Sequence, residues 1–173
     1  MNPDAFERYS RQILFAGIGE RGQQKLLDAS AVLVGCGALG SAVADLLVRA
    51  GLGRLRIIDR DFVEPSNLQR QTLFDEGDAR QSLPKAVAAE TKLRAINSSI
   101  SIEGIVADLT PANALDLLSG FSIILDGADN FETRFLMNDA AVRLAVSGIL
   151  PYPVPRATAP PLFCCGGCVV LMT

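Results

Sequence analysis

A chain of 173 residues that is 49% hydrophobic and 20% charged is long enough to bury a core as one domain. Its formal net charge of -3, with no basic tract, gives no electrostatic reason to expect nucleic acid as a partner. No apolar run approaches the roughly 18 to 20 residues of a membrane helix, so no membrane association is expected. The polar start MNPDAFERYSRQ lacks the basic and apolar regions of a secretory leader, and a cytoplasmic protein is expected.

In chain order, Phe6, Tyr9, Ile13 and Leu14 recur at helical spacing and predict a short amphipathic helix over Asp4 to Ala16. A second helical stretch covers Glu20 to Ala29. Together they make an N-terminal helical extension, residues 1–30, which can pack on its own domain or on a partner subunit. Ala31 to Gly40 then reads AVLVGCGALG: four apolar, strand-prone residues run into Gly35-x-Gly37-x-x-Gly40, and a helix-forming stretch, Ala42 to Ala50, follows. That is the strand, glycine turn and helix of a nucleotide-binding βαβ unit, whose helix N-terminus offers unpaired N–H groups to an anion.

Gly51-Leu52-Gly53 stops the helix, and Leu55 to Asp59 predicts the second strand. Asp59 stands near the spacing of about 20 residues at which an acid after the second strand meets ribose hydroxyls. Arg60 to Arg80 is irregular and polar, and a loop of this length reads as functional. Ser82 is expected to cap a helix from Pro84 to Asn97, and Ile100 to Val106 to form the third strand. Thr110-Pro111 opens a short helix through Leu118, and SIILD at Ser122 to Asp126 has the form of a buried parallel strand. A helix from Phe131 to about Val146 completes an α/β, Rossmann-like doubly wound, mostly parallel sheet over residues 31–146.

Beyond Val146 the prolines crowd together from Pro151 to Pro161 and exclude a regular central strand there. Residues 147–173 are expected to be an irregular Pro- and Cys-rich tail, with room for a short strand at Cys168 to Met172. Cys165-Gly166-Gly167-Cys168 is a single CxxC pair, and the chain has no histidine. A closed zinc site is therefore not expected, nor is a disulfide scaffold.

Ligands of open α/β sheets bind at the carboxyl ends of the strands. Asp59, Asp61, Asn67, Arg70, Lys85, Asp126 and Asp129 are the polar residues predicted to converge there. Arg70 can grip phosphate oxygens bidentately, and Lys85, at a helix start, can act as a point charge. A carboxylate after the fourth strand can hold Mg²⁺ through one or two contacts.

RYSRQ at Arg8 to Gln12, GCGALG, the Asp59-x-Asp61-x-Val63 pattern, SNLQRQ at Ser66 to Gln71, Pro84-Lys85 and DGADN at Asp126 to Asn130 resemble the MoeB/ThiF/HesA family. These are the bacterial relatives of ubiquitin-activating enzymes, and the resemblance runs from about Arg8 to Arg143. Family members use Mg-ATP to adenylate the C-terminal glycine of a small ubiquitin-like sulfur-carrier protein, releasing pyrophosphate, in molybdopterin or thiamine type sulfur transfer. The resemblance implies that Asp59 binds the ribose and that Gly35, Gly37, Ala38 and Gly40 pass beside the nucleotide. It implies that Asn67, Arg70 and Lys85 hold the triphosphate, that Asp61, Ser66, Leu68, Gln69 and Asn130 also belong to the nucleotide site, and that Asp129 binds Mg²⁺. Arg11 resembles the family's arginine finger, supplied across a homodimer interface, and joins Arg70, Lys85 and Asp129 as a catalytic candidate.

The sequence departs from the family at Ala38, where a third glycine is usual, and after Leu144, where the similarity stops. Two other readings stay open. One is a truncated, non-catalytic nucleotide-binding or dimerisation module. The other is an NAD-dependent oxidoreductase, because the glycine turn and Asp59 fit dinucleotide binding equally well.

Overall fold

The structure, a computed structural model, describes residues 3–149. Two helices, α1 (Pro3–Ile13) and α2 (Gly19–Asp28), precede β1 (Ser30–Val34), α3 (Ala38–Ala50) and β2 (Arg54–Ile58). A single 3₁₀ turn, Pro65–Asn67, and the short α4 (Glu76–Arg80) lead to α5 (Lys85–Ile96) and β3 (Ser101–Ile105). Then come α6 (Ala114–Leu118), β4 (Ile123–Asp126), α7 (Phe131–Leu144) and β5 (Ser147–Ile149). The strands lie in the order β3-β2-β1-β4-β5, and every neighbouring pair is parallel. This is the doubly wound α/β sheet expected from the alternation of strand and helix.

The unbroken apolar run of β1 follows from helices covering both faces of the sheet. Ala31 and Leu33 point to one side and pack with Leu55, Ile57, Ala44, Val48 and Leu93 under α3 and α5. Val32 and Val34 point to the other side and pack with Ile58, Ile124, Leu118, Phe121, Met137 and Ala140 under α6 and α7. The Arg56 guanidinium pairs with Glu103 at 2.9 Å and lies 4.7 Å from the centroid of the Phe121 ring, a favourable cation–aromatic placement.

Three local expectations change. Ser147–Ile149, assigned by sequence to an irregular tail, is the edge strand beside β4. Ala145, with φ 53, ends α7 in a left-handed cap and turns the chain into that strand ahead of the first proline of the cluster. Ser82 does not cap α5: the cap residue is Pro84, with no side-chain hydrogen bond, and Ser82 itself takes φ 47. The helix expected from Pro111 begins only at Ala114, after Asn113 Oδ1 has accepted from Thr110 N at 2.8 Å. The expectations for the cysteines at 164, 165 and 168 and for a strand at 168–172 lie outside the described residues.

The N-terminal helices dock on their own domain through a buried polar network at the C-terminal end of α3. Gln12 and Gln23 each donate to Ala50 O at 3.0 Å, and Gln23 is fully buried. Asn97, also fully buried, donates to Val48 O at 3.0 Å and to the Tyr9 hydroxyl at 2.9 Å, and accepts from Ser99 Oγ at 2.7 Å. Removing one member leaves buried partners unsatisfied, at about 1–3 kcal/mol. Asn97→Ala is expected to lower unfolding free energy in urea by about 2–3 kcal/mol and Tyr9→Phe by about 1 kcal/mol; equal stabilities would show that the network does not hold the helices.

Candidate functional site

The glycine turn is built by close approach of two backbones. Gly35 has φ 90, and a Cβ there would stand 2.6 Å from Gly127 O in the loop after β4. Its N–H donates to Ile58 O, and Gly127 N donates to Val34 O, each at 2.8 Å. A Cβ at Gly40 would collide with the Gly35 carbonyl, so that glycine lets α3 lie against the turn. Gly37 caps α3 without a side-chain hydrogen bond, and the first-turn N–H groups of this 13-residue helix have no intrahelical acceptor.

Asp59, at the end of β2, holds this turn in place. One carboxylate oxygen accepts from Cys36 N at 2.6 Å and the other from Asp61 N at 2.7 Å. Burial is the largest influence on the carboxyl and raises its pKa, against the lowering effect of the two N–H groups and of nearby Lys85. Cys36 is fully buried, and burial pushes its thiol up to about 12. It is no thiolate nucleophile near neutral pH.

A charged wall extends from Asp59. Lys85, the first residue of α5, donates its backbone N–H to Asp61 O at 2.8 Å, and its Nζ lies 3.1 Å from Asp61 Oδ2. Arg60 pairs with Asp108 at 2.7 Å on the far side of Asp61. Asn67 is buried, with Oδ1 accepting from Glu64 N at 3.3 Å, and Arg70 reaches back to Ser66 O at 3.0 Å. On the opposite side of the glycine turn, Asn130 caps α7 by accepting from Thr133 N at 2.8 Å, and Asp129 stands exposed beside it.

These groups line one open cleft of about 1530 Å³ at the carboxyl ends of the strands. Gly35, Gly37, Ala38, Asp59, Asp61, Asn67, Arg70, Lys85, Asp129 and Asn130 all face it. Gly40, Ser66, Leu68 and Gln69 do not: Gly40 sits beneath the turn, Leu68 packs on the core, and the Ser66 hydroxyl donates to Glu64 at 3.2 Å. Asp126 is also absent from the cleft wall. It is buried and paired with Arg134 at 2.8 Å, and it accepts from Ala128 N at 2.8 Å, so it anchors the loop that carries Asp129. Arg11 lies exposed on α1, which docks at the opposite end of α3 from Gly37, and it is not part of this chain's cleft. The cleft also contains Arg60, Gln71, Asp108 and Thr133, which the spacing arguments left unassigned. Of these, Gln71 lies in the SNLQRQ motif and Arg60 fills the unspecified place in Asp59-x-Asp61, while Asp108 and Thr133 stand outside every motif named above.

The family model described as ThiF family matches residues 9–158. The chain belongs to the ThiF family. This ThiF-family chain is 57% identical over 136 residues to the sulfur carrier protein ThiS adenylyltransferase of Bacillus subtilis, a match covering 79% of the chain and 40% of that protein. It is 43% identical over 141 residues to the sulfur carrier protein adenylyltransferase of Thermus thermophilus, covering 82% of the chain and 51% of that protein. The chain thus spans about half or less of the length of these relatives. Among solved structures, E. coli tRNA N6-threonylcarbamoyladenosine dehydratase, TcdA, in complex with ATP is similar at 25% identity and a TM-score of 0.77, covering 86% of the chain and 60% of that structure. E. coli MccB, solved with AMPCPP and MccA, is similar at 32% identity and a TM-score of 0.72, covering 82% and 43%.

The raised Asp59 carboxyl gives the ThiF-family fold a defined pH signature. A carboxyl whose folded pKa is raised contributes stability that is fully present below its unfolded value and is lost as pH rises through the folded value. Urea unfolding of the native chain and of Asp59→Asn from about pH 4 to about pH 7 is expected to shift the stability difference in the variant's favour as pH rises, by at most about 1.4 kcal/mol per pH unit. A difference that is flat with pH contradicts the assignment of burial as the dominant influence.

Proposed function

We propose that this chain is the nucleotide-binding part of an ATP-dependent adenylyltransferase that transfers AMP to the C-terminal carboxylate of a ubiquitin-like sulfur-carrier protein and releases pyrophosphate. The observation that supports it best is the convergence on one cleft of the open α3 N-terminus, the Asp59 carboxylate, and the cations Arg70 and Lys85. The residues present suit a nucleoside triphosphate. Apart from its chain neighbours and the backbone of α3, nothing among the described residues stands closer than 4.0 Å to the position a Cβ on Gly37 would take, which leaves room for a phosphate to approach the backbone there. Each Asp59 oxygen uses one lone pair on the backbone and keeps another for a ribose hydroxyl. The relatives are adenylyltransferases by name, which leaves the oxidoreductase alternative without support.

In this reading Lys85 and Arg70 leave their protein partners, Asp61 and the Ser66 carbonyl, for the phosphates as these arrive. Their charges offset the repulsion between the attacking carboxylate and the phosphate oxygens, and the rest of catalysis is alignment. No protein nucleophile is needed. Asp129, exposed at the cleft, is the residue proposed to hold Mg²⁺, with phosphate and water as the other ligands, because among the described residues no cluster of three metal-binding side chains exists. Bound there, the ion would neutralise charge at the reacting phosphate. Arg11, remote from its own cleft, is proposed to act in the cleft of a second copy, in a homodimer. Among the described residues no helix is long and apolar enough to cross a membrane, and a cytoplasmic enzyme is proposed.

The test is carrier-dependent exchange of pyrophosphate into ATP with a ThiS-type carrier. Lys85→Ala is expected to lower exchange by about a hundredfold or more while the chain still unfolds in one cooperative transition; undiminished exchange contradicts the role given to Lys85. ATP binding without exchange would favour the alternative of a nucleotide-binding module.

A further inference from the structure

Gln71 closes the loop that carries Asn67 and Arg70. Its backbone is in use: Gln71 N donates to Asn67 O at 3.0 Å, and Gln71 O accepts from Phe74 N at 3.1 Å. Its side chain is not. The residue is only 3% exposed, yet among the described residues its Oε1 has no hydrogen-bond partner. A buried carboxamide without partners costs free energy that an apolar side chain of similar size would not.

Its location indicates what its free donor end, Nε2, would meet. Gln71 is part of the cleft wall, and its Nε2 is the nearest group to the position a Cβ on Gly37 would take, 4.0 Å away. The carboxamide therefore borders the open space at the N-terminus of α3, where backbone N–H groups and the helix dipole favour an anion. The terminal torsion of a glutamine is broad and two-fold, so its donor end turns toward an arriving anion at little cost.

We propose that Gln71 is a further nucleotide-contacting residue, donating a hydrogen bond from Nε2 to a phosphate oxygen seated at the Gly37 turn. This rests on the nucleotide reading of the cleft. The contact distinguishes Gln71 from Lys85 and Arg70, because it adds a neutral donor beneath the phosphate and no charge.

The test compares calorimetric affinities of the full 173-residue chain, native, Gln71→Leu and Gln71→Glu, for ATP, AMP and adenosine in magnesium buffer, well below each unfolding midpoint. Gln71→Leu is expected to weaken ATP and AMP about tenfold and leave adenosine within about twofold, since adenosine has no phosphate to receive the bond. Gln71→Glu is expected to weaken ATP further, because it sets a carboxylate against the phosphate. Gln71→Met, unbranched and nearer in shape, replaces the leucine variant should that one fail to fold. Equal losses for adenosine and ATP would assign Gln71 to packing and overturn the proposal, as would unchanged ATP affinity in Gln71→Leu. A native chain that binds none of the three ligands would overturn the nucleotide reading itself, and the Gln71 contact with it.

Discussion

The Asp59 carboxylate is the interaction on which the rest of the site depends. Its two oxygens accept from Cys36 N and Asp61 N, so one side chain ties the glycine turn after β1 to the loop after β2. Lys85 then hangs from Asp61 by both its backbone and its ammonium group. A buried carboxylate is tolerated here because it is hydrogen-bonded on both oxygens and has a cation nearby, although burial still prevails in raising its pKa. The same group that shapes the turn is left at the cleft wall with acceptor capacity to spare.

A second constraint is the contact between the loops after β1 and β4. Gly35 and Gly127 approach so closely that neither can carry a side chain, which brings Asp129 and the start of α7 up to the glycine turn from the other side. Asp126 and Arg134 fix that second loop from below, with Arg134 also donating to Ala128 O at 2.8 Å. The cleft thus lies between two walls, one carrying Lys85 and Arg70 and the other the exposed carboxylates of Asp129 and Glu132. The buried Lys85 ammonium is paired with Asp61, whose own side chain is largely open to solvent.

Much of this was legible in the chain. The strand–glycine–helix unit, the parallel sheet implied by alternating elements, and the convergence of Asp59, Asn67, Arg70, Lys85 and Asp129 all follow from local spacing, because a parallel sheet delivers every strand's carboxyl end to the same edge. Asp126 is expected at the strand ends on the same spacing, but its side chain is buried against Arg134, a partner eight residues on in the next helix, and does not reach the cleft. Ser66, Leu68 and Gln69 face away from the cleft while Asn67, Arg70 and Gln71 of the same motif line it, because the chain winds through a 3₁₀ turn at Pro65–Asn67 and the turn that follows it. Gln71 lies in the same motif, and nothing in its spacing distinguishes it from Gln69; only burial does.

By itself the sequence determined the α/β class, the position of the glycine turn and the polar residues carried to the carboxyl ends of the strands, since those depend on local periodicity and on side-chain chemistry. Tertiary structure alone decided that Asp59 grips Cys36 N, that Asp61 holds Lys85, that Ser147–Ile149 joins the sheet, and that Arg11 lies away from its own chain's cleft. Each of these is a contact between segments far apart in the chain or a choice between two faces of one element. Such outcomes are set by packing and by the satisfaction of buried polar groups, which no local pattern encodes.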